Sequence, residues 1–296
     1  MMEIVVVGHL SRDLLITPER RRETLGGGTA YAMLAPALGA LGAGIVTRVG
    51  ADFEQEYLTL LRNSGLDLTG LRVSGPHTTR FVNEYDKEGN RTQRVEHIAP
   101  PLRSEDYMGQ HLDVSITHFC PLTSDDIHPS CIEVARMHGS LTSLDVQGYL
   151  RRIDDGEVRE CDWQNRDAVL RYVDVVKADQ RELLLAVQAK SEISAVTKIM
   201  NLGPRIIVVT RDRKGSTIYT RNTQVDIPLV LADKFVDTTG SGDTYMIGFL
   251  LEYFRSGDIR RSGLFGATCA SFNLETIGPY DLPDRKQVEE RMKMYL

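Results

Sequence analysis

Short runs rich in β-branched residues alternate with longer amphipathic stretches through the first 210 residues, and this alternation restricts the fold more than any other feature. The runs span 4–8, 45–49, 114–119, 141–146, 173–178 and 205–210, with helix-patterned stretches at 29–41, 53–64, 129–138, 181–189 and 192–201. Strands that recur this way with helices between them predict an α/β fold whose mostly parallel sheet is flanked by helices. Pro36 should kink or break the first helix, because proline lacks an N–H and its ring clashes with the preceding turn. Beyond Thr210 the pattern changes: 216–220 and 224–229 read as antiparallel strands around Arg221-Asn222-Thr223, and a helix pattern resumes over 244–254.

Two strand-like runs, 78–85 and 91–98, interrupt the alternation and are joined by the turn-forming string 86–90. With the polar stretch after Gly8 they predict a small β-lid, near 10–25 and 75–100, able to exclude water from the mouth of an α/β site. No repeat or flexible linker divides the chain, so residues 1–296 read as one domain carrying that lid.

Lys plus Arg number 35 and Asp plus Glu 41, and the net charge of −6 argues against nucleic acid or an anionic membrane as partner. No apolar run approaches the roughly 18–20 residues that span a bilayer. The N-terminal run has no basic leader and breaks at Gly8-His9, so it reads as a buried strand rather than a signal, which predicts a cytoplasmic protein. Cys120, Cys131, Cys161 and Cys269 are scattered without a C-x-x-C pair, as expected of free thiols. His97, His111, His118 and His128 show no metal-ligand spacing.

Chemistry concentrates at Asp237-Thr238-Thr239-Gly240-Ser241-Gly242-Asp243, which runs into the last helix-patterned stretch. Gly240 and Gly242 can turn successive N–H groups toward one point, at the place where a helix start leaves its N–H groups unpaired. An acid beside such an anion nest makes sense when a hydroxyl comes between them to attack a phosphoryl group; the alternative is an ordinary capped helix start. The dipole of the helix should keep Asp243 ionised and make it a weak base. A second cluster, Glu23-Thr24-Leu25-Gly26-Gly27-Gly28, is neither a dinucleotide fingerprint nor a P-loop, yet its glycines let a polyhydroxy ligand approach the main chain.

These strings resemble the PfkB, or ribokinase-like, family of carbohydrate and nucleoside kinases. Residues 237–243 are similar to its D-T-x-G-A-G-D signature with Ser241 for alanine, Gly26-Gly27 to its glycine pair, and Val49-Gly50-Ala51-Asp52 to its V-G-x-D element. The resemblance implies a ribokinase-like fold and transfer of a phosphoryl group from ATP, with Mg2+, to an alcohol. Asp243 would be the general base, and Gly240, Ser241 and Gly242 the anion hole. Asp13, Gly26 and Gly27 would hold the acceptor. Lys177 and Asp179 fall in the string matching the family's N-x-x-E, with Glu182 supporting Mg2+ through water. Thr210, Gly215 and Asn273 would lie on the nucleotide side. Asp237 is a candidate holder of a monovalent cation such as K+.

Tyr31 replaces the sugar-reading asparagine of ribokinase-type members and offers a ring face to an acceptor. Arg80, Asp145 and Gln147 are further candidate acceptor contacts, each with a plain structural alternative. Strings around Leu25, Leu144 and Lys177 resemble plant myo-inositol kinases, which puts a sugar or cyclitol first and a nucleoside second as acceptor. A ligand sensor that keeps the fold without catalysis is the reading from a different class. The lid's sheet edges leave room for a homodimer.

Overall fold

The computed structural model describes residues 2–86 and 91–296, with Arg91 described by its backbone alone. All of the expected turn at 86–90 except Asp86 therefore lies outside the described residues. In chain order the strands are β1 (Met2–Val7), β2 (Ser11–Ile16), β3 (Arg21–Gly26), β4 (Ala43–Val49), β5 (Asp67–Val73), β6 (Arg80–Tyr85), β7 (Arg91–His97) and β8 (Val114–Phe119). They continue with β9 (Leu141–Asp145), β10 (Arg151–Asp154), β11 (Glu157–Glu160), β12 (Val175–Asp179), β13 (Ile206–Thr210), β14 (Ser216–Thr220) and β15 (Gln224–Ile227).

The larger sheet has the spatial order β15-β14-β13-β12-β9-β8-β1-β4-β5. Its pairings are parallel from β5 to β13, while β14 and β15 add antiparallel. Strands covered on both faces need continuous apolar runs, which is why β1 can read Glu-Ile-Val-Val-Val with each of those residues buried. The helices Ser241–Ser256 and Ile259–Asn273 pack on one face and Pro129–Met137 and Glu192–Leu202 on the other, giving two apolar clusters separated by the sheet. From β1 the chain winds outward to β4 and β5, then returns and winds the other way through β8, β9, β12 and β13. The reversal makes the carboxyl ends of β1 and β8 a topological switch point, where open α/β sheets bind ligands.

A second sheet stands at that end, in the order β10-β11-β7-β6-β2-β3, antiparallel except for β2 beside β6. Asp52 fixes the crossing between the sheets. Its Oδ1 accepts from the Thr78 N–H and hydroxyl, both at 2.8 Å, and its Oδ2 meets Arg12 Nη1 at 3.0 Å.

Three features depart from the sequence reading. The helix expected over 29–41 is a 3-10 segment, Gly28–Met33, followed by the single turn Leu34–Ala37, since Pro36 prevents propagation. Strand β5 lies at the edge of the larger sheet with a mixed, half-polar pattern. The hairpin β10–β11 went unread because its strands, Arg-Arg-Ile-Asp and Glu-Val-Arg-Glu, hold one apolar residue each. Its turn was legible: Asp155-Gly156 takes φ of 50° and 80°, the left-handed pair that a two-residue hairpin requires.

Candidate active site

Gly240 caps the helix Ser241–Ser256 in the left-handed region (φ 81°), and only glycine fits there. A Cβ on Gly240 would lie 1.8 Å from Tyr31 Cζ, so the tyrosine ring packs directly against the loop. The Thr239 N–H and hydroxyl donate to Asp237 Oδ1 at 3.1 and 3.0 Å, and the Thr244 hydroxyl donates to the Gly240 carbonyl at 3.0 Å. These bonds hold the loop at the first turn, where the Ser241 N–H donates to the Thr238 carbonyl at 3.2 Å, so the anion hole expected of Gly240, Ser241 and Gly242 would fall to Gly240 and Gly242.

Asp243 follows, facing the switch point. Gly28 is the residue against it: a Cβ there would fall 2.4 Å from Asp243 Oδ1 and 2.8 Å from Cys120 Cβ. The sequence reading included Gly28 in its glycine cluster but gave an acceptor role to Gly26 and Gly27 alone. Gly27 takes a φ of 82°, and Asp13 Oδ2 lies 2.3 Å from where a Gly26 Cβ would be, so this cluster brings Asp13 and Asp243 to one cleft.

The Asp243 carboxyl keeps a partly exposed surface toward the cleft, yet protein surrounds it deeply. Burial pushes its pKa up to about 7, the nearby Asp145 charge adds to the rise, and Lys177 and Arg151 oppose it. The expected weak base is thus corrected: desolvation and a second carboxylate outweigh the helix start. Arg151, at the start of β10, is a residue that sequence reasoning missed. Burial and Asp243 likewise push the Cys120 thiol far up, leaving it neutral.

Lys177 Nζ pairs with Asp145 Oδ2 at 2.9 Å and reaches Gly242, 2.8 Å from where its Cβ would be. Burial works against the Lys177 charge, but Asp145, Glu182 and Asp243 together hold its pKa above the ordinary lysine range. Lys177 therefore stands at the anion loop itself, between the nucleotide-side string and the acid. Gln147 donates its N–H to Asp145 Oδ1 and its Nε2 to Glu182 Oε1, each at 3.0 Å. Asp179 and Glu182 close a reciprocal cap: Glu182 N–H donates to Asp179 Oδ1 at 2.7 Å and Asp179 N–H to Glu182 Oε2 at 2.8 Å. This network holds Asp145 and Gln147 in place beside Lys177 and Glu182.

Three further expectations are revised, those for Tyr31, Arg80 and Asn273. Tyr31 is 2% exposed and donates its hydroxyl to the Thr239 carbonyl, so it supports the loop from beneath and offers no face to an acceptor. Arg80 pairs with Glu23 at 2.6 Å and Glu96 at 3.0 Å, on the face of the smaller sheet opposite Asp13. Asn273 is 1% exposed and donates Nδ2 to the same Thr239 carbonyl at 2.7 Å, beneath the loop instead of beside an adenine. Asp237 is tied into the loop through Oδ1, as described above.

Thr210 pairs with Asp179 in the sheet register, and Gly215 (φ 76°) turns the chain from β13 into β14, so both lie along the carboxyl-end edge. Among the described residues no group of three or more His, Cys, Asp or Glu could hold a metal unaided. Asp179 and Glu182 suit Mg2+ held through water and substrate phosphates, which is how that ion is usually bound.

The family described as pfkB family carbohydrate kinase matches residues 145–285, which include Asp145, Lys177, Asp179, Glu182 and the whole anion loop. That segment of the chain is similar to the PfkB-family carbohydrate kinases. This kinase is 27% identical over 290 residues to the cytidine kinase of Thermococcus kodakarensis, covering 95% of this chain and 99% of that one. Over 90 residues, 30% of each chain, it is 41% identical to a nucleoside kinase of Methanocaldococcus jannaschii. Its fold is shared with a pyrophosphate-dependent ribokinase-family kinase solved with a pyrophosphate analog and myo-inositol, at a TM-score of 0.80, 23% identity, and coverage of 97% of this chain and 99% of that one. Among the described residues no helix is long and apolar enough to cross a membrane.

Proposed function

We propose that this sugar or nucleoside kinase moves the γ-phosphoryl group of Mg-ATP onto a hydroxyl of a nucleoside, with Asp243 as general base. The observation that carries the reaction is the Asp243 carboxyl, raised to about 7 and set beside Lys177 at the start of the helix Ser241–Ser256. Bound between Asp13 and Asp243, a hydroxyl would lose its proton to Asp243 as the phosphoryl group arrives. The N–H groups of Gly240 and Gly242, together with Lys177, would take up the developing charge. Asp179 and Glu182 would hold Mg2+ through water, and the ion would supply positive charge to the phosphates.

The smaller sheet serves in this reading as the lid that dries the cleft. A cavity of about 330 Å³ opens under it, lined in part by Leu15, Tyr85, Val236, Asp237 and Ile277. An apolar and aromatic wall beside polar groups suits a base attached to a sugar. The near full-length similarity to a cytidine kinase supports the same acceptor. A cyclitol is the second reading, favoured by the strings around Leu25 and Leu144 and by the fold shared with the myo-inositol-bound kinase.

Purified protein incubated with ATP or pyrophosphate and a panel of nucleosides, ribose and myo-inositol, with phosphorylated product detected by mass spectrometry, tests the proposal. Nucleoside phosphorylation that disappears in Asp243→Asn is the expected result. Turnover without an added acceptor, or full activity in Asp243→Asn, would overturn it.

A further inference from the structure

At the end of the larger sheet away from Asp243, a cavity of about 370 Å³ opens between the start of β1, the turn before β4 and the last turn of the helix Ser241–Ser256. Met2, Leu41 and Phe254 give it apolar walls, and Glu3, Ser115 and Arg255 add polar ones. Leu41 is 89% and Phe254 49% exposed, so apolar surface is left for a bound molecule to cover. The N–H groups of Glu3 and Ile4 both donate to the Gly42 carbonyl, at 2.8 and 3.2 Å, and this bulge re-aims the Glu3 side chain toward the helix end. Glu3 is 5% exposed, yet its carboxylate is only half satisfied. Oε2 accepts from the Leu41 N–H at 2.8 Å and from Arg255 Nη2 at 3.5 Å. Oε1 makes no hydrogen bond. Arg255 Nε lies 3.4 Å from it, near enough for an ion pair, while Nη1 and Nη2 donate to the Leu38 and Gly39 carbonyls at 3.2 and 2.7 Å. A buried carboxylate oxygen without a donor marks a place where one is missing.

We propose that this cavity is a second binding site, for a neutral planar heterocycle carrying an amino group, with the edge of adenine or cytosine as its chemistry. Glu3 Oε1 calls for an N–H donor. The Glu3–Arg255 pair already balances its own charge, so a neutral donor fits without placing a second cation beside Arg255. Ser115 stands next to Glu3 across the sheet, between the partners Met2 with Val114 and Ile4 with Ile116. Neighbouring strands lie about 4.8 Å apart, and a serine hydroxyl can donate. A carboxylate acceptor beside a hydroxyl donor matches the N–H and ring nitrogen that adenine and cytosine present together. The flat ring would cover the exposed faces of Leu41 and Phe254. Asp243 and Phe254 stand roughly 16 Å apart along the axis of one helix, so this site does not overlap the acceptor cleft.

Binding is read without turnover, so the outcome stands apart from the kinase reading. The purified protein is titrated calorimetrically with adenine and cytosine, and with hypoxanthine and uracil, whose edges reverse donor and acceptor. Adenine or cytosine should bind about 10-fold more tightly than its reversed counterpart. With that base bound, amide exchange measured by mass spectrometry should slow over residues 38–42 and 253–257 and not over 11–26. Phe254→Ala should weaken the binding roughly 5-fold, through the lost ring contact. Glu3→Gln, a weaker acceptor, should weaken it about 10-fold. Adenosine and cytidine form a second arm. Slowing over 38–42 with the bases alone assigns the site to free bases, and slowing with the nucleosides as well assigns it to the base of either molecule; both support the proposal. No binding of adenine or cytosine at millimolar concentration, slowing confined to 11–26, equal affinity for the reversed edges, or unchanged affinity in Phe254→Ala would overturn it. Should Glu3→Gln not fold, Phe254→Ala, which alters a half-exposed side chain, decides alone.

Discussion

A carboxylate raised to about 7 trades stability against turnover in a way that can be measured. An aspartate ordinarily ionises near 3.8, so the folded protein binds this proton more tightly than the unfolded chain does. Ionised Asp243 therefore weakens the fold above pH 7, the penalty shrinks as pH falls toward 4, and it is absent below that. Asp243→Asn should melt higher than wild type at pH 8, by on the order of 2–4 kcal/mol, and the difference should fade by pH 4; melting curves across pH check both halves. The same variant should lose about 10²–10⁴-fold in kcat. The wild-type kcat/KM should fall tenfold per pH unit below about 7, because it reports the free enzyme's base. Lys177→Met removes a cation that opposes the rise and should shift that limb upward. Gly28 offers a separate test. The Cβ of Gly28→Ala would sit 2.4 Å from Asp243 Oδ1, and the displaced acid should cost roughly 10²-fold in kcat, read beside a melting curve that shows the fold is kept.

At the level of elements, the string Val49-Gly50-Ala51-Asp52 has a mechanical reading. Asp52 fastens Thr78 and Arg12 where the chain passes between the sheets, and a Cβ on Gly50 would strike the His77 backbone at 2.2 Å. Burial raises the Asp52 pKa, but its bonds from Thr78 and the Arg12 charge hold it below the usual range. Its contribution is therefore present at neutral pH and lost as pH falls through the acid range. Asp52→Ala should cost about 1–3 kcal/mol in melting experiments at pH 7, less at pH 3, and should raise acceptor KM more than it lowers kcat. Much of this architecture is legible in the chain. Buried strands such as β1, β8 and β13 declare themselves by unbroken β-branched runs, and the anion loop by two glycines before a helix. What stays hidden is settled by tertiary contacts. Nothing local to Tyr31 says that its ring lies under Gly240 and not in the cleft, nor that Asp145 is consumed by Lys177. The hairpin β10–β11 was concealed by its charged strands, although its Asp-Gly turn was in plain view.

For the whole molecule, the winding order determines where the chemistry sits. Reversal of direction at β1 leaves a gap between the outgoing chain connections, and the 26–28 glycines, Cys120 and Asp243 all converge there from segments more than 90 residues apart. Such a site is built from distant pieces, so its order depends on both sheets keeping their relation. The smaller sheet meets the main body through Leu25, part of one buried cluster, and at several places besides the Asp52 crossing. One is the Tyr280 hydroxyl, which accepts from the Leu25 N–H at 3.3 Å, with the Arg22 guanidinium 6.0 Å from the centre of the Tyr280 ring. Another is Gly278, where an added Cβ would fall 2.6 Å from Thr24 Oγ1. Among the described residues β2, β6 and β7 add none to the two buried clusters, which leaves them low in local stability. Acceptor and ADP bound together in the cleft would add contacts to the smaller sheet's inner face and reduce its opening. Amide exchange measured by mass spectrometry should therefore slow across residues 11–26 and 80–85 when both ligands are present, and change little in β8 and β13. Equal protection of all four segments would mean that ligands tighten the whole fold, and unchanged exchange in 11–26 would mean that the smaller sheet does not close over the site.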